Sequence, residues 1–116
     1  MKLREIVEKF GLDVKCGADK LDEEIGGGYT SDLLSDVIAN AKASDLWITL
    51  QVHGNIVGVA SMKDLLGIII INGRQPEEGT LEKAKEEGIP IMVSKLPAFE
   101  LVGRLYELGI SGKREC

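Results

Sequence analysis

Apolar residues recur along this chain in two rhythms, and the changes of rhythm mark out its elements. Leu3, Ile6, Val7 and Phe10 fall three and four apart, which predicts one apolar face of a short helix stopped by Gly11. Leu12 to Cys16 alternates apolar with polar, the pattern of a half-buried strand. Gly17 to Glu24 is polar and turn-like, and the glycine run Ile25-Gly26-Gly27-Gly28-Tyr29 follows it. Leu33, Leu34, Val37, Ile38 and Ala41 predict an amphipathic helix over 31–43, with Thr30 or Ser31 as its N-cap. Leu46 to Leu50 predicts a strand, and Asn55 to Leu66 a helix with Ile56, Val59, Ala60 and Met62 among its apolar positions. Gly67 to Ile71 shows no alternation, so it predicts a strand covered on both faces. Thr80 to Glu87 reads as a charged helix with a narrow stripe of Leu81 and Ala84. Pro90 to Val93 reads as a short strand, and Ala98 to Leu108 as a last helix with Phe99, Val102, Leu105 and Tyr106 apolar.

Strand and helix alternating through short connections predict an α/β fold: a small, mostly parallel sheet with crossover helices on both faces. The segment before Thr30 falls outside that repeat and is expected as an N-terminal helix and strand addition on an edge of the sheet. The 116 residues fit a single domain, 1–116, with a polar tail over 109–116.

Composition narrows the function more than the fold. Aromatic residues are only 4%, so the core must be aliphatic. Nineteen acidic against fourteen basic residues give a net charge of −5, which argues against a nucleic-acid partner. The apolar run Leu65 to Ile71 is far too short to span a bilayer, and the N-terminus lacks a secretory apolar region. Cys16 and Cys116 stand a hundred residues apart without a Cys/His cluster, so both are expected as reduced thiols in a cytoplasmic protein. The single histidine, His53, completes no familiar zinc spacing with them, and no metal is expected.

In open parallel sheets, ligands gather at the carboxyl ends of the strands. Three loops qualify here: Gln51 to Asn55, Asn72 to Pro76, and Ser94 to Pro97. His53, Asn55, Asn72, Gly73, Arg74 and Lys95 would bring an imidazole, amides and two cations to one edge beside helix N-termini, which suits an anion. Arg74 either clamps a phosphate or carboxylate, or pairs with Glu77 or Glu78 on the surface. Asn72-Gly73 is also a plain turn signal, and His53 also fits a helix cap. Gly26, Gly27 and Gly28 either admit a phosphate closely or pack tightly against the sheet or a second subunit. The run matches neither the dinucleotide fingerprint nor the phosphate loop of nucleotide hydrolases, so no cofactor is expected. Asp32 and Asp36 stand four apart, on one face of the expected helix, with metal binding, acid–base work or a solvated face open to them. No nucleophile elbow or other catalytic motif appears.

The stretch from Ile25 to Val37 (IGGGYTSDLLSDV) resembles the signature of the DRTGG domain. Asn55-Ile56-Val57, the run Ile68 to Ile71 into Asn72-Gly73-Arg74, and Ala84 to Ile91 match it in the same order, over about residues 20–108. The chain departs from the pattern at Glu24-Ile25-Gly26-Gly27, where the name-giving motif places arginine and threonine. Such domains are similar to the N-terminal domain of bacterial HPr kinase/phosphorylase, and accompany some phosphotransacetylases and some pyrophosphatases with CBS modules. The resemblance implies an accessory, regulatory domain that commonly self-associates and leaves catalysis to others.

Residues and resemblance together predict a non-catalytic regulatory homodimer that senses an anionic small molecule, such as an adenine nucleotide or a phosphorylated metabolite. The alternative is a ligand-free module for dimerisation or docking a protein partner, with Tyr29 and Trp47 as interface anchors; Trp47 also fits a strand position packed under a helix. A small hydrolase or transferase using His53 and Asp32 is the third.

Overall fold

Ile68, Ile69 and Ile70, each without exposed surface, become the middle of a five-stranded sheet in a computed structural model that describes residues 1–113. Along the chain the elements are α1 (Leu3–Phe10), β1 (Asp13–Cys16), β2 (Gly27–Thr30), α2 (Leu34–Asn40) and β3 (Asp45–Thr49). They continue with α3 (Asn55–Met62), β4 (Gly67–Ile70), α4 (Glu78–Glu87), β5 (Ile91–Val93) and α5 (Ala98–Glu107). The sheet order is β1-β5-β4-β3-β2, with β2 to β5 parallel and β1 antiparallel against β5.

The strand order fixes where the helices go. From β2 to β5 each strand is laid beside the previous one in a single direction, so right-handed crossovers must all fall on the same face. Accordingly α2, α3 and α4 share one core with Trp47, Ile68, Ile70, Ile91 and Val93. The opposite face, with Leu46, Ile48, Ile69, Ile71 and Met92, is covered by α1 and α5, which precede and follow the repeat. Neighbouring strand residues thus alternate between two cores, which is why the run from Ile68 to Ile71 is apolar throughout. Both faces carry helices, as the strand–helix pattern predicts, but the crossovers occupy only one of them.

The N-terminal addition is larger than an edge decoration. β1 and β2 stand at opposite edges, so residues 17–26 travel beneath the whole sheet, about 19 Å at four strand spacings. Cys16 closes β1 with its thiol donating to the Ile89 carbonyl at 3.5 Å. Burial pushes that thiol's pKa up, which makes it a poor nucleophile.

The glycine run also differs from its expected role as a loop. Gly27 and Gly28 are strand residues that pair with Asp45 and Leu46 at the amino end of β3. On the outer edge of β2, Gly28 N–H donates to the Ser111 carbonyl at 3.2 Å, and half-buried Ile110 lies over Gly28. Part of the expected polar tail is therefore packed along β2; Cys116 lies outside the described residues.

Candidate functional site

Four loops leave the carboxyl ends of β2 to β5, and hydrogen bonds tie each to its neighbour. Asp32, after β2, accepts the Thr49 hydroxyl at 2.8 Å and the Leu50 N–H at 2.7 Å. The Gln51 amide returns a bond to the Asp32 carbonyl at 3.0 Å. Across the next gap, Arg74 Nη1 donates to the Leu50 carbonyl at 2.7 Å, and the Thr80 hydroxyl to the Val52 carbonyl at 2.8 Å. Asn72 and Gly73 N–H groups reach the Leu96 and Ser94 carbonyls at 3.0 and 2.8 Å. The carboxyl edge is a single stitched surface rather than four independent loops.

Arg74 owes its place to the two residues before it. Asn72 and Gly73 both have positive φ, 58° and 64°, and Arg74 N–H bonds the Ile71 carbonyl at 3.2 Å. That is the geometry of a type I′ turn, which asparagine and glycine adopt most cheaply. The turn sends the chain back toward β3 and sets the guanidinium against Leu50. Asn72 and Gly73 thus serve the turn, and the Asn72 side chain makes no hydrogen bond among the described residues.

The exposed Arg74 guanidinium forms no ion pair among the described residues, with Glu77, Glu78 or any other carboxylate. Its partner is a backbone carbonyl, and a guanidinium carries further donors in its fork. Lys95, exposed on the β5–α5 loop, is likewise without an ion pair among the described residues. Two cations therefore stand on neighbouring loops of one edge with no acidic partner.

Other expected parts of the site have structural duties. His53 Nδ1 accepts the Asn55 N–H at 3.1 Å, and the Ile56 and Val57 N–H groups bond the His53 and Gly54 carbonyls. His53 is thus a cap, and the first N–H groups of α3 are already taken, which leaves none of the expected anion-binding donors there. At α5, which opens on Pro97, no side chain caps the amino end. Gly26, Gly27 and Gly28 do not converge with Arg74: they lie at the amino end of the sheet, below the strands whose carboxyl ends form the site. The reason is topological, since β2 starts there after residues 17–26 pass beneath the sheet.

The carboxylates are committed as well. α2 begins only at Leu34, so Asp32 lies ahead of it and does not share a helix face with Asp36, contrary to their spacing. Asp32 accepts its bonds from Thr49 and Leu50 at a bend, and Leu33 keeps an extended backbone, so the helix starts after them. Asp36 accepts the Tyr29 hydroxyl at 2.8 Å and the Asn40 amide at 2.9 Å. Hydrogen bonds from Tyr29, Ser31 and Asn40 hold the Asp36 carboxyl below its usual range, and the same contact pushes the Tyr29 phenol up. Asp32 and His53 share no hydrogen bond among the described residues, and no group of three His, Cys, Asp or Glu side chains forms there.

The expected interface anchors fare unequally. Trp47 has no exposed surface, and its indole N–H donates to the Ser31 carbonyl at 2.8 Å, so it belongs to the core and offers nothing to a partner. Tyr29 is half-buried and packed on the same core. The large exposed rings are instead Phe99 and Tyr106, on α5, 90% and 67% exposed. Periodicity places both on the apolar stripe of α5, but that helix carries two stripes, and Leu101 and Leu105 take the buried one. Gly103 falls with the rings, about 40° from Phe99 around the helix, on the side away from Leu101 and Leu105.

These features define a mostly parallel α/β domain with a stitched, partly cationic carboxyl edge. No family model and no curated protein matches the sequence. A solved structure does share the fold: the CBS and DRTGG domains of the regulatory region of Clostridium perfringens pyrophosphatase, complexed with the activator diadenosine tetraphosphate. The TM-score is 0.71 at 13% identity, over 88% of this chain and 44% of that one. At that identity the likeness shows the fold, and it is consistent with the DRTGG-like domain that the sequence motifs resemble. The chain spans less than half the length of the one it matches.

Proposed function

We propose that this chain is a non-catalytic regulatory domain, homodimeric and cytoplasmic, that senses an anionic small molecule at the carboxyl edge of its sheet. The observation that carries the reading is the pair of cations, Arg74 and Lys95, exposed without an ion pair among the described residues, on loops held by one hydrogen-bond network. An arginine so placed can turn its remaining N–H groups to a phosphate while the Leu50 carbonyl keeps it aimed. An adenine nucleotide or a phosphorylated metabolite fits that chemistry. The pyrophosphatase region that shares the fold is regulatory and binds a nucleotide activator, which supports the same class of role. No helix among the described residues is long and apolar enough to cross a membrane.

Calorimetric titration with adenosine, AMP, ATP and inorganic phosphate tests the reading. Phosphorylated ligands bind and adenosine alone does not. Arg74→Ala weakens binding about 10- to 100-fold, the loss expected for charge-assisted hydrogen bonds. Equal affinity in wild type and Arg74→Ala removes this site. The exposed rings of α5 favour a second reading, a docking module without a ligand; binding by no member of the series would favour it.

A further inference from the structure

The two edges of the sheet are finished differently. β1 carries the features that keep an edge from pairing: Asp13 and Lys15, bridged at 2.7 Å, and a bulge between Val14 and Cys16. β2, at the other edge, has none of them. Its residues are Gly27, Gly28, Tyr29 and Thr30, without charge or proline, and its register with β3 is unbroken. Successive residues of a strand turn their backbone groups alternately to one neighbour and the other. Ser31 N–H reaches the Ile48 carbonyl at 3.3 Å, so Gly28 and Thr30, one step out of phase, face away from β3.

What covers that edge is the chain's own segment after α5. The Gly109 N–H bonds the Tyr106 carbonyl at 2.9 Å and the Ile110 N–H the Leu105 carbonyl at 3.1 Å, the paired bonds of a Schellman turn. Gly109 has a φ of 97°, which glycine adopts without strain. The turn lays half-buried Ile110 over Gly28, in the core that also holds Leu105. The Ser111 carbonyl then accepts the Gly28 N–H at 3.2 Å, and a Cβ on Gly112 would lie 3.4 Å from the Gly28 carbonyl oxygen. That is the only backbone hydrogen bond between this segment and β2 among the described residues, so its main holds are the turn at Gly109 and the burial of Ile110.

We propose that residues 109–113 are a guard for the β2 edge: seated, they stop it from pairing with the β2 of a second copy, and displaced, they open it to that pairing. The two strands then run antiparallel about a two-fold axis at Tyr29, where Gly28 faces the partner's Thr30 and each such pair exchanges both backbone bonds. A second copy is the occupant because this arrangement satisfies the outward groups of β2 with their own image and asks for no particular sequence. The guard replaces on β2 what charge and a bulge do on β1. It goes beyond the regulatory reading and stands whether or not the carboxyl edge binds an anion.

Gly109→Val with Ile110→Ser, in the full chain, removes both holds, and Gly112→Val repeats the test by crowding the Gly28 carbonyl with the α5 turn intact. Amide exchange at Gly28 in dilute protein reads the seat, and should quicken about 10-fold or more once the Ser111 bond is lost. Sedimentation velocity over a range of concentrations reads the edge, with circular dichroism confirming that each variant is folded. The displaced variants associate about 10-fold or more tightly than wild type, through main-chain bonds. Adding Thr30→Pro returns them to wild-type behaviour, since proline removes an outward N–H and is tolerated on an edge strand. Unchanged exchange at Gly28 in both variants overturns the guard, as does faster exchange without added association. Added association that survives Thr30→Pro also overturns it, because the contact is then the apolar surface that Ile110 uncovers and not the edge.

Discussion

At the scale of single residues, glycine shows how context sets the sign of one substitution. Gly73 has nothing within 4 Å of an added Cβ, yet its φ of 64° is one that L side chains resist. Gly73→Ala should therefore destabilise the chain by about 1–2 kcal/mol from backbone strain alone. Gly58, exposed within α3 and equally open, carries no such constraint. Gly58→Ala should stabilise by up to about 1 kcal/mol, the difference in helix propensity. Urea unfolding midpoints measure both, and shifts of the same sign would contradict the account. Trp47→Phe should cost about 2 kcal/mol, since it deletes the bond to the Ser31 carbonyl and leaves a gap in the core that also holds Val37 and Ile56. An unchanged midpoint would mean that Trp47 is not packed as described. The tryptophan's strand position was legible, with a place under a helix as one of its two readings, and the core it shares with α2 decides between them. Arg74 was legible as a candidate because it follows an apolar strand; its hold on Leu50 comes from a neighbouring loop that no sequence spacing reveals.

At the scale of elements, periodicity fails where a tertiary contact overrides it. β2 is rich in glycine, a poor strand former, and becomes a strand because β3 pairs with one edge and Ser111 with the other. α2 starts at Leu34 rather than Ser31, because Asp32 is occupied with the end of β3. Its amino end is joined to β2 through Tyr29 and Asp36, and that joint has a pH signature. Asp36 titrates below its ordinary value when folded, so its contribution is complete above about pH 4 and is lost as pH falls through the lowered pKa. Tyr29→Phe removes the leading cause of the shift. Stability measured from pH 6 down to pH 2 should fall more steeply in wild type than in Tyr29→Phe, and parallel curves would deny the joint a role. At the alkaline end the sign reverses. The raised Tyr29 pKa adds stability below pH 10 that disappears as the phenol ionises.

At the scale of the whole molecule, strand order explains both what the chain lacks and what it keeps. The parallel strands run β2-β3-β4-β5 without reversing, so there is no topological switch point and none of the crevice that doubly wound sheets open there. What the carboxyl edge retains is charge, Arg74 and Lys95 on hydrogen-bonded loops, within a chain whose net charge is −5. The alternation of elements made the α/β class legible. The grouping of α2, α3 and α4 on one face was implicit in it but needed the strand order to become visible. The displacement of Gly26, Gly27 and Gly28 from the site was not legible, because nothing local records that β1 and β2 occupy opposite edges.

Thermal unfolding at two protein concentrations, each with and without a saturating adenine nucleotide, tests the regulatory reading most directly. A ligand or a second copy that binds only the folded chain raises its melting temperature by mass action. The account predicts a rise with protein concentration, a further rise with nucleotide, and loss of the second alone in Arg74→Ala. A melting temperature indifferent to both concentration and nucleotide would contradict it.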